Sequence, residues 1–204
     1  MQSTLPIRVG AAEEIRDIGE LPRTLAGRIL LAVAATGLVA ICAHVSLPLY
    51  FTPVPLTLQT LAVILVGLTL GPVLGFSAMV LYLAEGAIGL PVFSPHGLGG
   101  VAQLMGPTGG FLFSYPLAAA AAGVVVRAVC RNASQTSRFL GAIFAGTVAS
   151  VFIFAMGAAW LAHLLHLSPG AAWHMAVAPF LPGEVLKVSA AAGAFSTLRR
   201  WRRR

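Results

Sequence analysis

Between Ile29 and Val126 the chain carries a single charged side chain, Glu85. No water-soluble fold of that length can coat itself with so few ionic groups, so the stretch must lie where apolar surface is the rule. The whole chain agrees. Of its 204 residues 58% are apolar and 9% charged, against about 45–50% and about 25% in ordinary globular chains. A cytosolic enzyme with a polar coat and a disordered chain are both excluded. Cys42 and Cys130 stand in different settings and predict no disulfide framework.

A membrane-spanning helix needs about 20 mostly apolar residues. The sequence offers six candidate spans, at roughly 27–47, 55–70, 72–90, 109–128, 138–166 and 173–198. The second is short, and the fifth is long enough to tilt or to continue past the bilayer surface. None alternates with period two, which argues against a β-barrel and leaves helices to satisfy the backbone. The predicted class is therefore all-α, a polytopic membrane protein of six transmembrane helices.

The charges orient it. Arg8, Arg16, Arg23 and Arg28 precede or open the first span, and Arg127, Arg131 and Arg138 flank the connection between the fourth and fifth. Arg199, Arg200, Arg202, Arg203 and Arg204 form the tail. The connections after spans one, three and five hold no Lys or Arg. The positive-inside rule then predicts cytoplasmic N- and C-termini, with His44, His96, His163, His166 and His174 toward the outside. A basic, polar lead before the first span suggests a signal peptide. Glu13, Glu14, Asp17 and Glu20 in that lead, and the length of the run, favour a retained helix.

Polar groups at membrane depth are costly unless used or paired. Lys187 is the one basic residue outside the cytoplasmic set, and it follows Glu184 by three in Pro179-Phe180-Leu181-Pro182-Gly183-Glu184-Val185-Leu186-Lys187. A Pro-Gly pair opens a helix, and this spacing puts both charges on one face of its first outer turn. The pair can be an internal ion pair with Lys187 reaching for the surface. Alternatively Lys187 holds a ligand carboxylate while Glu184 accepts from ligand N–H groups.

Gln59, after the extended Pro53-Val54-Pro55, can bond to a neighbouring helix or to a ligand. Tyr82 can be a bundle-facing aromatic wall or part of the interfacial belt. Glu85 can stay neutral or pair with Lys187. The Gly- and Pro-rich connection 91–108 can fold back over a pocket and contribute Phe93 as a stacking face.

Other features carry less. His163 and His166 have metal-compatible spacing but no further ligands nearby, so interfacial positions are favoured and no metal is expected. No phosphate-binding loop with its Gly-Lys-Ser/Thr ending occurs, nor any recognisable catalytic arrangement. Ala32, Thr36 and Ala40 repeat every four residues in the first span and allow another helix to approach closely, within the bundle or from another subunit.

The stretch from Phe51 to Gly110, with Pro179–Lys187, resembles the BioY family, the biotin-binding S components of energy-coupling factor transporters. The resembling words are Val54-Pro55-Leu56-Thr57-Leu58-Gln59-Thr60-Leu61-Ala62-Val63, then Leu81-Tyr82-Leu83 with Gly86-Ala87-Ile88-Gly89-Leu90-Pro91-Val92-Phe93. Gly106-Pro107-Thr108-Gly109-Gly110-Phe111 and Pro179-Phe180-Leu181-Pro182-Gly183 with Lys187 complete the order. One departure stands out: the family usually has Asp where this chain has Glu184, which keeps the carboxylate with one more methylene.

The resemblance implies a high-affinity biotin site facing outward. It also implies a transmembrane coupling subunit and cytoplasmic ATPases as partners, with Ala32, Thr36 and Ala40 touching the coupling subunit. Biotin has an apolar body, a ureido head and a carboxylate tail. Gln59, Tyr82, Phe93, Glu184 and Lys187 suit it, Lys187 by preference at the carboxylate, and no cofactor is expected.

The expected plan is a polar cytoplasmic extension at 1–26, a six-helix substrate-binding body at 27–198 and a basic cytoplasmic tail at 199–204. The expected role is biotin uptake across a bacterial inner membrane. The alternatives are a binding subunit for another vitamin, a solitary facilitator or secondary transporter, and a membrane enzyme using His163, His166 and Glu85.

Overall fold

The computed structural model describes residues 24–130 and 134–201. The expected extension before Thr24, with Arg8, Arg16 and Arg23, and the basic residues Arg131, Arg202, Arg203 and Arg204 lie outside the described residues. Helix α1 spans Leu25–His44 and is capped by Thr24, whose hydroxyl accepts from the amide of Gly27 at 3.2 Å. Two short strands come after it, β1 (Ser46–Leu47) and β2 (Leu56–Thr57), paired antiparallel. Next are α2 (Gln59–Ala87), α3 (Gly100–Met105), α4 (Gly109–Val129) and α5 (Gln135–Leu165). The chain closes with α6 (Pro169–Ala176), a 3-10 turn (Ala178–Phe180) and α7 (Leu181–Trp201).

Among the described residues five helical stretches are long and apolar enough to cross a membrane: α1, α2, α4, α5 and the stretch Pro169–Trp201. One of them folds back on itself. A continuous helix would separate Gln59 from Tyr82 by about 34 Å at 1.5 Å per residue, yet their side chains hydrogen-bond at 2.8 Å. The reversal is at Gly71, with φ 79° and ψ −178°, conformations that only glycine adopts without strain. Pro72 then starts the second arm in a first turn, where its missing N–H costs nothing. The boundary expected at residue 71 from the sequence falls on this turn.

The turn is packed without slack. A side chain at Gly123 of α4 would collide with the backbone of Gly71 and Pro72, and the guanidinium of Arg127 lies against Gly71. Ala118, Ala119 and Ala122 of α4 are fully buried beside the hairpin. Small residues here let three helical segments approach closely enough for dispersion to hold them in lipid. α5 packs on α4, and α7 packs on α5 and α2.

The stretch expected as one helix at 173–198 is broken. α6 ends at Ala176, and Val177 leaves helical geometry with φ −128° and ψ −64°. Pro179 has no N–H to give to a continuing ladder, so the backbone takes a 3-10 turn and restarts at Leu181 with Pro182 in the first turn of α7. Ser168 caps α6, and His166 ends α5 in the left-handed region at φ 50°.

Candidate functional site

Three irregular pieces of backbone meet at one end of the bundle: the β1–β2 ribbon with its connection 48–55, the connection 88–108, and the break before α7. That break fixes where α7 begins, and so where its first-turn charges stand. Glu184 and Lys187 are 4% and 7% exposed. Lys187 Nζ lies 3.3 Å from Glu184 Oε2. Thr60 of α2 joins them, its hydroxyl donating to Oε2 at 2.9 Å and accepting from Lys187 Nζ at 3.1 Å. Ser150 of α5 donates to Oε1 at 2.8 Å. A buried ion pair persists only when such bonds replace lost water, and here both carboxylate oxygens are engaged.

Beside this cluster, Gln59 is held by its own neighbours. Its Nε2 donates to Tyr82 Oη at 2.8 Å and its Oε1 accepts from Thr57 Oγ1 at 3.1 Å. Tyr82 in turn donates to the carbonyl of Val92 at 2.7 Å. The helix–helix bond expected as one option for Gln59 is therefore present, and its amide keeps one N–H and one lone pair for another partner. The Tyr82 ring stands edge-on to Phe93, centroids 5.5 Å apart, and stacks on Tyr115 at 6.4 Å.

A cavity of about 50 Å³ lies between these groups. Gln59, Thr60, Glu184 and Lys187 form its polar side; Phe111, Tyr115, Ile153, Phe154 and Phe180 form its apolar side. Above it a wider vestibule of about 480 Å³ runs between Pro53, Pro95, His96 and Leu98. Pro55, Gln103 and Thr108 border both spaces. Gln103 is pinned as a partition: its Oε1 accepts from Gly99 N at 3.2 Å and its Nε2 donates to Ser94 O at 3.4 Å.

The expected residues thus separate by depth. Gln59, Glu184 and Lys187 line the cavity, whereas Tyr82 and Phe93 stand behind Tyr115 and hold the connection 88–108 to α2. Glu85 bonds to Thr36, whose hydroxyl donates to its Oε1 at 3.1 Å, while Lys187 pairs with Glu184. Ala32 and Thr36 are buried inside this chain against α2, and Ala40 is half-buried. The exposed face of α1 is instead Ile29, Leu30, Val33 and Ile41. Among the described residues no group of three metal-ligating side chains forms.

Sequence reasoning missed Thr60, Ser150, Gln103 and the aromatic side chains of α4, α5 and the 3-10 turn. Ser150 and Gln103 carried a signal, a polar residue within an apolar stretch. Phe111, Tyr115, Phe154 and Phe180 carried none, because aromatic residues on apolar helices face lipid as readily as a cavity.

Residues 14–204 match the family model of the BioY family. The biotin transporter BioY of Rhodobacter capsulatus is 34% identical over 184 residues, covering 88% of this chain and 93% of that protein. The probable biotin transporter BioY of Pyrococcus horikoshii is 51% identical over 72 residues, 35% of this chain and 44% of that protein. Among solved structures, the S-component for biotin from an ECF-type ABC transporter superposes with a TM-score of 0.78 at 24% identity. That superposition covers 86% of this chain and 92% of the other, and it establishes the shared fold.

Proposed function

The chain belongs to the BioY family, and from that premise we propose that it is the biotin-binding subunit of a biotin uptake system. The observation that carries this reading is the buried Glu184–Lys187–Thr60–Ser150 cluster beside an aromatic-walled cavity. It offers an ammonium donor and a carboxylate acceptor within one ligand diameter, with apolar surface next to them. The chain sits in a bacterial inner membrane with six crossings, α2 supplying two, and both termini cytoplasmic. The vestibule then opens outward.

Two charges this close favour one end of biotin over the other. Lys187 is already neutralised by Glu184, and a ligand carboxylate brought to the pair would be repelled by Glu184. The ureido head is neutral and matches the pair: its carbonyl accepts from Lys187 and an N–H donates to Glu184. The apolar thiophane body lies along Tyr115, Phe111 and Phe154, and the carboxylate tail points toward Gln103 and the vestibule. This orientation differs from the carboxylate preference at Lys187 that accompanied the family resemblance.

The inner cavity opens past Pro55, Gln103 and Thr108 into the vestibule, so a ligand longer than the cavity extends into that space. Moving the ligand across also requires energy that makes the outward and inward states differ in affinity. A transmembrane coupling subunit and cytoplasmic ATPases would supply it, since the chain carries no phosphate-binding loop.

Calorimetric titration of the detergent-purified chain with biotin tests the reading, with one-to-one binding expected; a folded sample that binds another vitamin and not biotin overturns it. Biotin amidated at its carboxylate tests the orientation. It is expected to bind within about tenfold of biotin, a difference of about 1.4 kcal/mol, and loss of all binding on amidation would reverse the assignment.

A further inference from the structure

Four buried side-chain polar atoms have no hydrogen-bond partner among the described residues: Ser46 Oγ, Ser94 Oγ, Arg127 Nε and Ser196 Oγ. Of the four residues only Ser94 lines the inner cavity, and none lines the vestibule. Ser94 is 5% exposed. A hydroxyl buried that deeply without a partner is costly. Beside a cavity, a ligand that brings an acceptor removes the cost.

The backbone around Ser94 is held while its hydroxyl is not. The carbonyl of Val92 accepts from Tyr82 Oη at 2.7 Å, and the Phe93 ring packs edge-on against Tyr82. The carbonyl of Ser94 accepts from Gly97 N at 3.3 Å and from Gln103 Nε2 at 3.4 Å. Ser94 is thus fixed beside the Gln103 partition. The first turn of α4 reaches the same cavity, through Thr108, Phe111 and Leu112. Thr108 precedes that helix of 21 residues, and its side chain caps none of the first amides. A helix start carries unpaired amides and partial positive charge.

With the ureido head on Glu184 and Lys187, the reading on which this inference rests, the ligand's tail ends beside Gln103. We propose that Ser94 and the N-terminus of α4 form the subsite for that tail carboxylate. The Ser94 hydroxyl donates to one carboxylate oxygen, and the helix end favours its charge. Among the described residues the cavity lining holds no side-chain cation besides Lys187, which Glu184 neutralises. The subsite therefore reads an acceptor oxygen strongly and a full charge weakly.

The full chain is purified in detergent and titrated calorimetrically with biotin and with an analogue whose tail carboxylate is replaced by methyl. The parent is expected to bind the analogue about 10- to 100-fold more weakly than biotin, the effect of one hydrogen bond to a charged group. Ser94→Ala is expected to weaken biotin binding about tenfold or more and to leave the analogue's affinity within about twofold. Because the hydroxyl bonds nothing in the free protein, ligand-free Ser94→Ala should unfold at or above the parent's temperature.

Unchanged biotin affinity in Ser94→Ala overturns the proposal. So does an equal loss for both ligands, which would place the hydroxyl at the ureido head. A lowered unfolding temperature without ligand overturns it too, since the hydroxyl would then serve a partner within the chain. An analogue that the parent does not bind at all would assign the carboxylate to a full charge such as Lys187, and so overturns it as well. A parent that binds neither ligand strikes the biotin reading itself, whereas a parent that binds biotin and an Ser94→Ala variant that binds it equally strike the subsite alone.

Discussion

Two breaks in helical geometry, at Gly71 and at Val177–Phe180, are built differently. At Gly71 the backbone reverses through a positive φ, and α4 closes on the turn so tightly that Gly123 has no room for a side chain. At Val177–Phe180 the break turns on proline, and a fresh helix then starts, carrying Glu184 and Lys187 into a cavity. Glycine serves where backbone must meet backbone. Proline serves where a helix must stop and begin again, bringing polar side chains to a chosen depth. The first break holds the fold, and the second positions the candidate site.

If that division holds, substitutions at the two breaks fail in different ways. Gly123→Val should have the largest effect, because the new side chain meets the Gly71–Pro72 backbone, which cannot swing aside as a flexible side chain would. The variant is expected to lose its folded, monodisperse form in detergent, read by size-exclusion chromatography and thermal unfolding. A folded Gly123→Val protein with normal biotin binding would break the comparison at its first term.

Glu184→Ala should leave a folded but weakened protein that does not bind biotin. Removing one partner strands Lys187 as a buried unpaired charge, which costs about 3–5 kcal/mol. Combining Glu184→Ala with Lys187→Met removes the stranded charge and should recover most of the unfolding temperature without recovering binding. Recovery of both would reduce the pair to a structural role, and the second break would then hold the fold as the first does.

Ser150→Ala sharpens the same point more gently. It removes one hydrogen bond to a charged group, worth about 1.5–3 kcal/mol, and frees Glu184 Oε1. Biotin affinity should fall by about one to two powers of ten on the scale of 1.4 kcal/mol per decade, with thermal stability lowered but the fold retained. Unchanged calorimetric affinity would show that the Ser150 bond does not orient the carboxylate for the ligand.

The legibility of these features in the sequence depends on the physics of each. Charge is scarce here, so the spacing of Glu184 and Lys187 singled them out, as an ion pair or a ligand site, and the Pro-Gly pair marked the helix start that carries them. The Gly71-Pro72 pair marked a boundary, because glycine and proline alter the backbone wherever they stand. Which surfaces pack together was not legible. Ala32 and Thr36 belong to a stripe of small residues whose partner could be internal or external; in this chain Ala32 and Thr36 are buried, Thr36 bonded to Glu85 of α2, and Ala40 is half-buried. Tyr82 and Tyr115 are both buried aromatics, and nothing local distinguishes the one behind the cavity wall from the one forming it. The break at Val177 went unread because a proline near a helix end resembles a proline at a helix start.

Tyr82→Phe is the smallest of these changes and the most discriminating about depth. It removes a hydroxyl that accepts from Gln59 and donates to the carbonyl of Val92, while keeping the ring that Phe93 and Tyr115 pack against. Each such bond contributes about 0.5–1.5 kcal/mol net. Because Tyr82 lies behind the cavity rather than in it, the loss should appear in two places at once: a modest drop in unfolding temperature, and a several-fold loss of biotin affinity as Gln59 and the connection after Val92 loosen. Tyr115→Phe, by contrast, keeps an aromatic wall in direct reach of the ligand and should leave stability closer to the parent. If Tyr82→Phe leaves stability unchanged while abolishing biotin binding, the hydroxyl touches ligand, and the cavity extends one layer deeper than Tyr115.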